Sequence, residues 1–171
     1  MEKKVTSHLT KGLIIGLILI VLSVVIYVME LYTMQWLQYL GFVILFGGVI
    51  WSVMTYGKDN NYDKSFGNLF AHGFKTVALV TVIVLAYTLL SSYIFPDAKA
   101  KMLEIGRQQA LERANGNETQ VEQGMAFFEK YFTLFIVIGI LFWYLLIGVI
   151  ASLIGAAVTK KNPNPGMPQS M

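Results

Sequence analysis

The sequence predicts an all-α membrane protein with four transmembrane helices and an extracytoplasmic helical hairpin between the third and the fourth. Of its 171 residues, 56% are hydrophobic and only 13% are charged, whereas soluble domains carry about 25% charged residues. The hydrophobic residues fall into four long runs, at about 12–31, 36–56, 67–95 and 131–158. Each run can cross a hydrocarbon core of roughly 30 Å, and in lipid such a segment satisfies its backbone hydrogen bonds only as a helix.

The first run is interpreted as a retained membrane helix and not as a cleaved signal peptide. Its apolar stretch is longer than the ~7–15 residues of a signal-peptide core, and no pattern of small residues marks a cleavage site at its end. The four spans leave no room for a second globular domain, so residues 1–160 form a single transmembrane domain. Proline and polar residues are frequent in 161–171, which predicts a disordered cytoplasmic tail.

Lysine and arginine residues predict that both termini are cytoplasmic, because short cytoplasmic loops are enriched in these residues. Cations precede the first span, lie between the second and third spans, and follow the fourth, whereas the turn 32–35 has none. The segment 96–130 also carries cations, but its acidic residues outnumber them. The cations on the predicted inner side are Lys3, Lys4, Lys11, Lys58, Lys64, Lys160 and Lys161.

The polar segment 96–130 predicts two helices on the outer side of the membrane. Pro96 begins the first helix, and the Asn-Gly pair at 115–116 ends it. Thr119 and Glu122 have the spacing of a capping box, which begins a second helix that continues into the fourth span. A hairpin covering the outer face is the plain interpretation, and a docking surface for a protein partner in the membrane or periplasm is the alternative.

Small residues recur at intervals of about four on three spans, which predicts where the helices pack together. Lipid tails are as apolar as leucine, so helices associate in a membrane through close packing and hydrogen bonds, and small side chains allow both. We expect packing within one chain to be favoured over dimerisation, and the oligomeric state stays open. The residues concerned are Gly12, Gly16, Gly41, Gly48, Ser52, Gly148, Ser152 and Ala156.

Asn68, His72 and Lys75 form one polar stripe at the start of the third span, since residues at i, i+4 and i+7 share a helix face. Ionisable groups in or beside a span are the first candidates for function in a membrane protein. In the functional interpretation the stripe binds an anionic headgroup or phosphate, with Lys75 as the charge and His72 as a hydrogen-bond partner. The alternative, which we favour, is an amphipathic lead-in at the interface whose lysine extends to water.

Enzyme chemistry has little support in the sequence. The chain has no cysteine, which excludes disulfides, thiolate nucleophiles and Cys-ligated metals, and two histidines are too few for a typical zinc site. Neither a zinc-protease motif, a nucleophile elbow nor a phosphate-binding loop occurs. We therefore predict no catalytic residue, cofactor, metal or nucleic-acid partner, and membrane lipids as the surroundings of the protein.

Four segments carry a family resemblance: KGLIIGLILIVLS at 11–23, SFGNLFAHGF at 65–74, GNETQVEQ at 116–123 and LLIGVIASLIGAAVTKKNP at 145–163. With these segments the chain resembles the bacterial domain-of-unknown-function 4199 family over nearly its whole length. The resemblance implies a bacterial inner-membrane protein of four helices, and it implies no activity that could be carried over to named residues.

Three classes of function stay open, and we rank them in this order. The first is a non-enzymatic accessory or scaffolding subunit of a membrane complex. The second is a small transporter or anionic-lipid-binding protein that uses Asn68, His72 and Lys75. The third is a lipid-modifying membrane enzyme, or an accessory to one.

Overall fold

The computed structural model describes residues 7–31, 34–114 and 117–162, and within these ranges the chain forms α-helices and no strands. The predicted tail, 161–171, lies outside the described residues except for its first two. The helices are α1 (His8–Val28), α2 (Gln35–Asp59), α3 (Phe66–Ile94), α4 (Pro96–Arg113), α5 (Glu118–Lys130) and α6 (Phe132–Val158).

Among these helices, α1, α2, α3 and α6 are long and apolar enough to cross a membrane, which confirms the predicted number of spans. Each begins and ends within four residues of its predicted bounds. At most 28% of the residues in the apolar stretch of each span are buried. The bundle therefore exposes apolar side chains over most of its surface, as expected for helices that are surrounded by lipid.

The central pair of helices is α2 and α3, and each of them contacts both α1 and α6. α1 and α6 therefore lie on opposite sides of this pair. We call the end of the bundle where α1 begins and α6 ends the terminal end, and the opposite end the hairpin end. At the terminal end, Val53, Leu69 and Ala156 form a small hydrophobic cluster. The main core cluster consists of Ile15, Leu19, Leu45, Val49, Val77, Val80, Val84 and Ala151.

Several of the predicted packing residues lie where two helices approach closely. A Cβ atom added at Gly12, Gly16 or Gly48 would lie within 3.0 Å of a side chain on the neighbouring helix. Gly148 of α6 packs in the same way against Val77 of α3. At Gly41 the nearest such atom, on Leu19, is 3.9 Å away, so this glycine makes an ordinary contact and not a close one.

The remaining three packing residues, Ser52, Ser152 and Ala156, are fully buried. The structure also contains a close approach that the spacing of small residues did not indicate, at Gly73 of α3. A Cβ atom at Gly73 would lie 2.7 Å from both Ser152 Oγ and Val53 Cγ2. α2, α3 and α6 therefore meet at this glycine.

Two helix boundaries differ from the prediction for local reasons. α1 ends at Val28 instead of residue 31, because Glu30 has a φ of 54° and this left-handed conformation cannot continue the helix. α5 begins at Glu118, and its N-cap is Asn117, whose side chain accepts a hydrogen bond from the Gln120 N–H. The predicted cap at Thr119 is therefore wrong, since Asn is at least as good an N-cap and lies earlier in the chain.

At the hairpin end, α4 and α5 pack against each other. Only Phe95 separates α3 from α4, and only Tyr131 separates α5 from α6. Arg107 of α4 forms a salt bridge of 3.3 Å with Glu122 of α5. A second salt bridge, of 3.0 Å between Lys101 Nζ and Glu30 Oε1, ties α4 to the turn between α1 and α2.

At the terminal end, the residues after α6 are bound to the loop between α2 and α3. The Asn162 side chain donates a hydrogen bond of 2.7 Å to Asp63 Oδ1, and the Asn162 backbone N–H donates to the Tyr62 carbonyl. Thr159 packs against Gly57 of α2. The end of the last span is thus held next to the start of the third.

Candidate functional site

A cleft of about 210 Å³ opens at the terminal end, and all three residues of the predicted polar stripe line it. We call it the terminal cleft. It contains side chains from three helices and from the N-cap of α1, and most of its lining residues are polar. Its lining residues are Ser7, His8, Tyr56, Asn68, Ala71, His72 and Lys75.

The wall formed by α3 follows from the helical spacing of Asn68, His72 and Lys75. The N-cap of α3 is Ser65, whose side chain accepts a hydrogen bond from the Asn68 N–H. This cap fixes the first turn of the helix, and the stripe begins in that turn. Asn68 and Lys75 are exposed and His72 between them is buried, so the stripe has one buried residue between two exposed ones.

The opposite wall comes from the first turn of α1. Ser7 is the N-cap of this helix, and its hydroxyl accepts a hydrogen bond from the Leu9 N–H. His8 follows it, and its ring lies perpendicular to the His72 ring with the centroids 6.0 Å apart. Because α1 packs directly on α3, the only two histidines of the chain face the same cleft.

His72 is held in one orientation by two residues of α2. Its Nε2 lies 3.2 Å from Ser52 Oγ, and the Tyr56 ring stacks on its ring at 4.0 Å between centroids. Ser52 Oγ also lies 3.2 Å from Thr76 Oγ1, and Thr76 donates a hydrogen bond to the His72 carbonyl. With Nε2 facing the bundle, Nδ1 is the ring nitrogen that a ligand in the cleft can reach.

Lys11 adds a buried positive charge close to the cleft. Only 6% of this residue is exposed, and its Nζ lies 3.2 Å from the centroid of the Trp51 ring. Asp59, at the end of α2, attracts this charge. Lys75 lines the cleft and Lys11 lies near it, so two ammonium groups lie close to His72.

This arrangement suits the binding of an anion. Ser, Asn and His side chains supply hydrogen-bond donors, and Lys75 supplies a charge on the surface of the cleft. Among the residues that the structure describes, no group of three or more His, Asp or Glu side chains could hold a metal ion.

The α3 wall could be predicted from the sequence, whereas the walls formed by His8 and Tyr56 were not predicted. Periodicity along one helix cannot say which residues of another helix will face it. One available signal was Ser52, a polar residue inside an apolar run, since such residues in membrane spans usually face other helices.

Comparison with protein families matches residues 10–161 to a family model described as a protein of unknown function (DUF4199). The matched range begins at the third residue of α1, so it leaves out His8 and includes the rest of the four spans, the hairpin and the predicted polar stripe. No curated protein and no solved structure matches the chain.

Proposed function

The chain belongs to the DUF4199 family, and from this premise we propose that it is a non-enzymatic integral protein of a bacterial inner membrane that binds an anionic lipid headgroup. In this proposal it acts as an accessory or scaffolding subunit of a membrane complex. The observation that carries the lipid-binding part is the convergence of His8, Asn68, His72 and Lys75 on one cleft.

The distribution of cations supports an orientation with both termini and the terminal cleft on the cytoplasmic side. Lys58 lies in the last turn of α2, Lys64 lies in the connection between α2 and α3, and Lys160 and Lys161 follow α6. All of these lie at the same end of the bundle as the cleft, and positive residues are enriched on the cytoplasmic side of membrane proteins. The hairpin of α4 and α5 then lies outside the cytoplasm.

An anionic headgroup fits this location in both charge and size. The cytoplasmic leaflet is rich in anionic lipids, which attract basic residues near the membrane surface. A cleft of about 210 Å³ can hold a phosphate group with its nearest substituents, while the acyl chains stay in the bilayer. Lys75 would pair with the phosphate, and Asn68 and His72 Nδ1 would donate or accept hydrogen bonds.

The exposed face of α6 supports the accessory role. Trp143 lies near the middle of this span and is 51% exposed, and its neighbour Phe142 is 58% exposed. An indole N–H prefers a hydrogen-bond partner, which hydrocarbon does not offer. A helix of another subunit would provide both that partner and aromatic contacts.

Lipid binding can be tested by native mass spectrometry of the protein after extraction from nanodiscs of phosphatidylglycerol or of phosphatidylcholine. We expect more phosphatidylglycerol than phosphatidylcholine to be retained, and this excess should fall about tenfold or more in Lys75→Met, which loses a charge-assisted hydrogen bond. Lys58→Met is the matched control, because Lys58 is an exposed cation at the same end that does not line the cleft. Equal retention of both lipids, or equal losses in both variants, would contradict the proposal.

Adding inorganic phosphate distinguishes a lipid site from a site for a soluble anion. If the cleft binds headgroups, millimolar phosphate should displace little lipid, because the acyl chains also contribute to the affinity.

For the accessory role, the test is chemical crosslinking in intact membranes. One partner protein should crosslink to α6, and Trp143→Ala should reduce that product more than Leu134→Ala, which alters an equally exposed residue of the same helix.

A further inference from the structure

A second cavity lies at the hairpin end, between α4 and the ends of α1 and α2. Its volume is about 520 Å³, and a recess of about 140 Å³ adjoins it and shares four lining residues with it. We call the two together the hairpin groove. Its lining is mainly apolar, and includes Ser23, Ile26, Leu37, Met102, Ile105 and Gln109.

We infer that the hairpin groove holds one hydrocarbon chain of a membrane lipid, with the phosphate of that lipid beside Lys101. This site is separate from the terminal cleft, and the inference does not rest on the function proposed for that cleft or on which side of the membrane the hairpin lies.

The chemistry of the lining favours a hydrocarbon over water. Ser23 donates its hydroxyl hydrogen to the Leu19 carbonyl at 2.9 Å, so this hydroxyl does not need a hydrogen-bond partner in the groove. Met102 is 51% exposed, although it lies on the face of α4 that turns toward the bundle. Water occupies a cavity stably only when it finds two to four polar partners, whereas apolar cavities stay dry and bind apolar guests.

The size of the groove distinguishes between apolar guests. It is several times larger than an apolar cavity of ~150 Å³ that binds benzene, so it can hold many methylene groups of an extended chain. A protein helix is about 10–12 Å across with its side chains, so a groove of about 520 Å³ could take in side chains from only one face of a helix, whereas an extended hydrocarbon chain can lie inside it. A single acyl chain is therefore a better occupant than a helix of a partner or of a second copy.

The groove lies where a membrane lipid could place one acyl chain inside it and its headgroup beside Lys101. The groove lies beside the last turns of α1 and the first turn of α2, which is the level where a span leaves the hydrocarbon layer. Lys101 lines the adjoining recess, and its Nζ is 3.0 Å from Glu30 and 5.7 Å from the Tyr27 ring centroid. Its positive charge would lie beside the phosphate of a lipid whose chain occupies the groove.

The test uses the full-length protein in nanodiscs of phosphatidylcholine, whose zwitterionic headgroup should bind the terminal cleft less well than an anionic one. After detergent extraction, native mass spectrometry should show the monomer with one retained phosphatidylcholine. Ile105→Trp fills the groove and should lower the retained fraction about tenfold or more, because several buried methylene groups lose their contacts. Gln108→Trp is the matched control, since Gln108 is exposed on the same helix and does not line the groove.

A second measurement needs no substitution. Phosphatidylcholine with a photoreactive diazirine in one chain is incorporated, the sample is washed in detergent to remove loosely bound lipid, and it is then irradiated. Crosslinks at Met102 and Ile105 support the inference. It is overturned if crosslinks are absent or spread evenly over the spans, if Ile105→Trp and Gln108→Trp retain equal lipid, or if a second protein chain is retained in place of the lipid. Lys75→Met should leave this lipid bound, so failure here is distinguishable from failure of the terminal cleft.

Discussion

The Tyr56 ring stacks on the His72 ring with their planes only 10° apart and their centroids 4.0 Å apart. This pair joins α2 to α3 at the point where the bundle opens into the terminal cleft. The stack covers one face of the imidazole while Ser52 binds its Nε2, so His72 reaches the cleft in a defined orientation. A preorganised donor of this kind binds a ligand with a smaller loss of side-chain entropy.

Ser52→Ala should destabilise the protein by about 1 kcal/mol, which is typical of a lost hydrogen bond between membrane helices. The substitution removes the partner of His72 Nε2 and a contact of Thr76. The measurement is the free energy of unfolding in mixed micelles with increasing denaturing detergent. Ser23→Ala is the control and should be close to neutral, because the Ser23 hydroxyl bonds only within its own helix. Equal effects of the two substitutions would contradict this role of Ser52.

Gly73→Ala should cost about 1–3 kcal/mol, the usual range for overpacking a tightly packed core. The new Cβ atom would lie 2.7 Å from Ser152 Oγ and from Val53 Cγ2, so α2 or α6 must move away. Gly47→Ala is the matched control, since nothing lies within 4 Å of its added Cβ. That variant should gain up to about 1 kcal/mol from the higher helix propensity of alanine. Thermal unfolding in detergent would reveal a wrong prediction if the two variants shifted in the same direction.

Lys11 and Trp51 should show a coupling free energy of about 0.5–2 kcal/mol in a double-mutant cycle, the range of cation–π interactions. Trp51→Leu should cost more than Lys11→Met, because Trp51→Leu leaves the buried ammonium without the ring below it. Lys11→Met removes the charge together with the cost of burying it. Chemical unfolding of the two single variants and the double variant gives the coupling. Additive losses would mean that the 3.2 Å contact contributes no stability.

The chain has no cysteine, so single-cysteine labelling can test its orientation directly. A membrane-impermeant maleimide applied to intact spheroplasts should label Glu118→Cys at the start of α5 and should not label Lys64→Cys in the loop before α3. After permeabilisation both positions should react. The reverse pattern would place the hairpin in the cytoplasm, and labelling of both positions before permeabilisation would point to leaking cells.

The spans could be predicted from the sequence because the hydrocarbon layer imposes a minimum length and a uniform composition on each of them. Their ends were harder to predict, since they depend on single residues. The left-handed conformation of Glu30 ends α1 early, and the Asn117 side chain begins α5 before Thr119. Neither event changes the average hydrophobicity of its segment.

The terminal cleft was only half predictable. The spacing of Asn68, His72 and Lys75 follows from one helix, and the sequence contains that information directly. The approach of His8 and Tyr56 depends on how α1 and α2 pack on α3, and no alternation or motif in the sequence records that arrangement. Likewise, Gly73 belongs to no regular series of small residues on its own helix, although it makes one of the closest contacts in the bundle.

α3 contains 29 residues, which at about 1.5 Å per residue makes a rod of roughly 43 Å. Its first turns carry Asn68 and His72, and at its other end a single residue, Phe95, separates it from α4. One uninterrupted helix therefore reaches from the terminal cleft to the base of the hairpin, and both ends of the bundle are built on the same backbone.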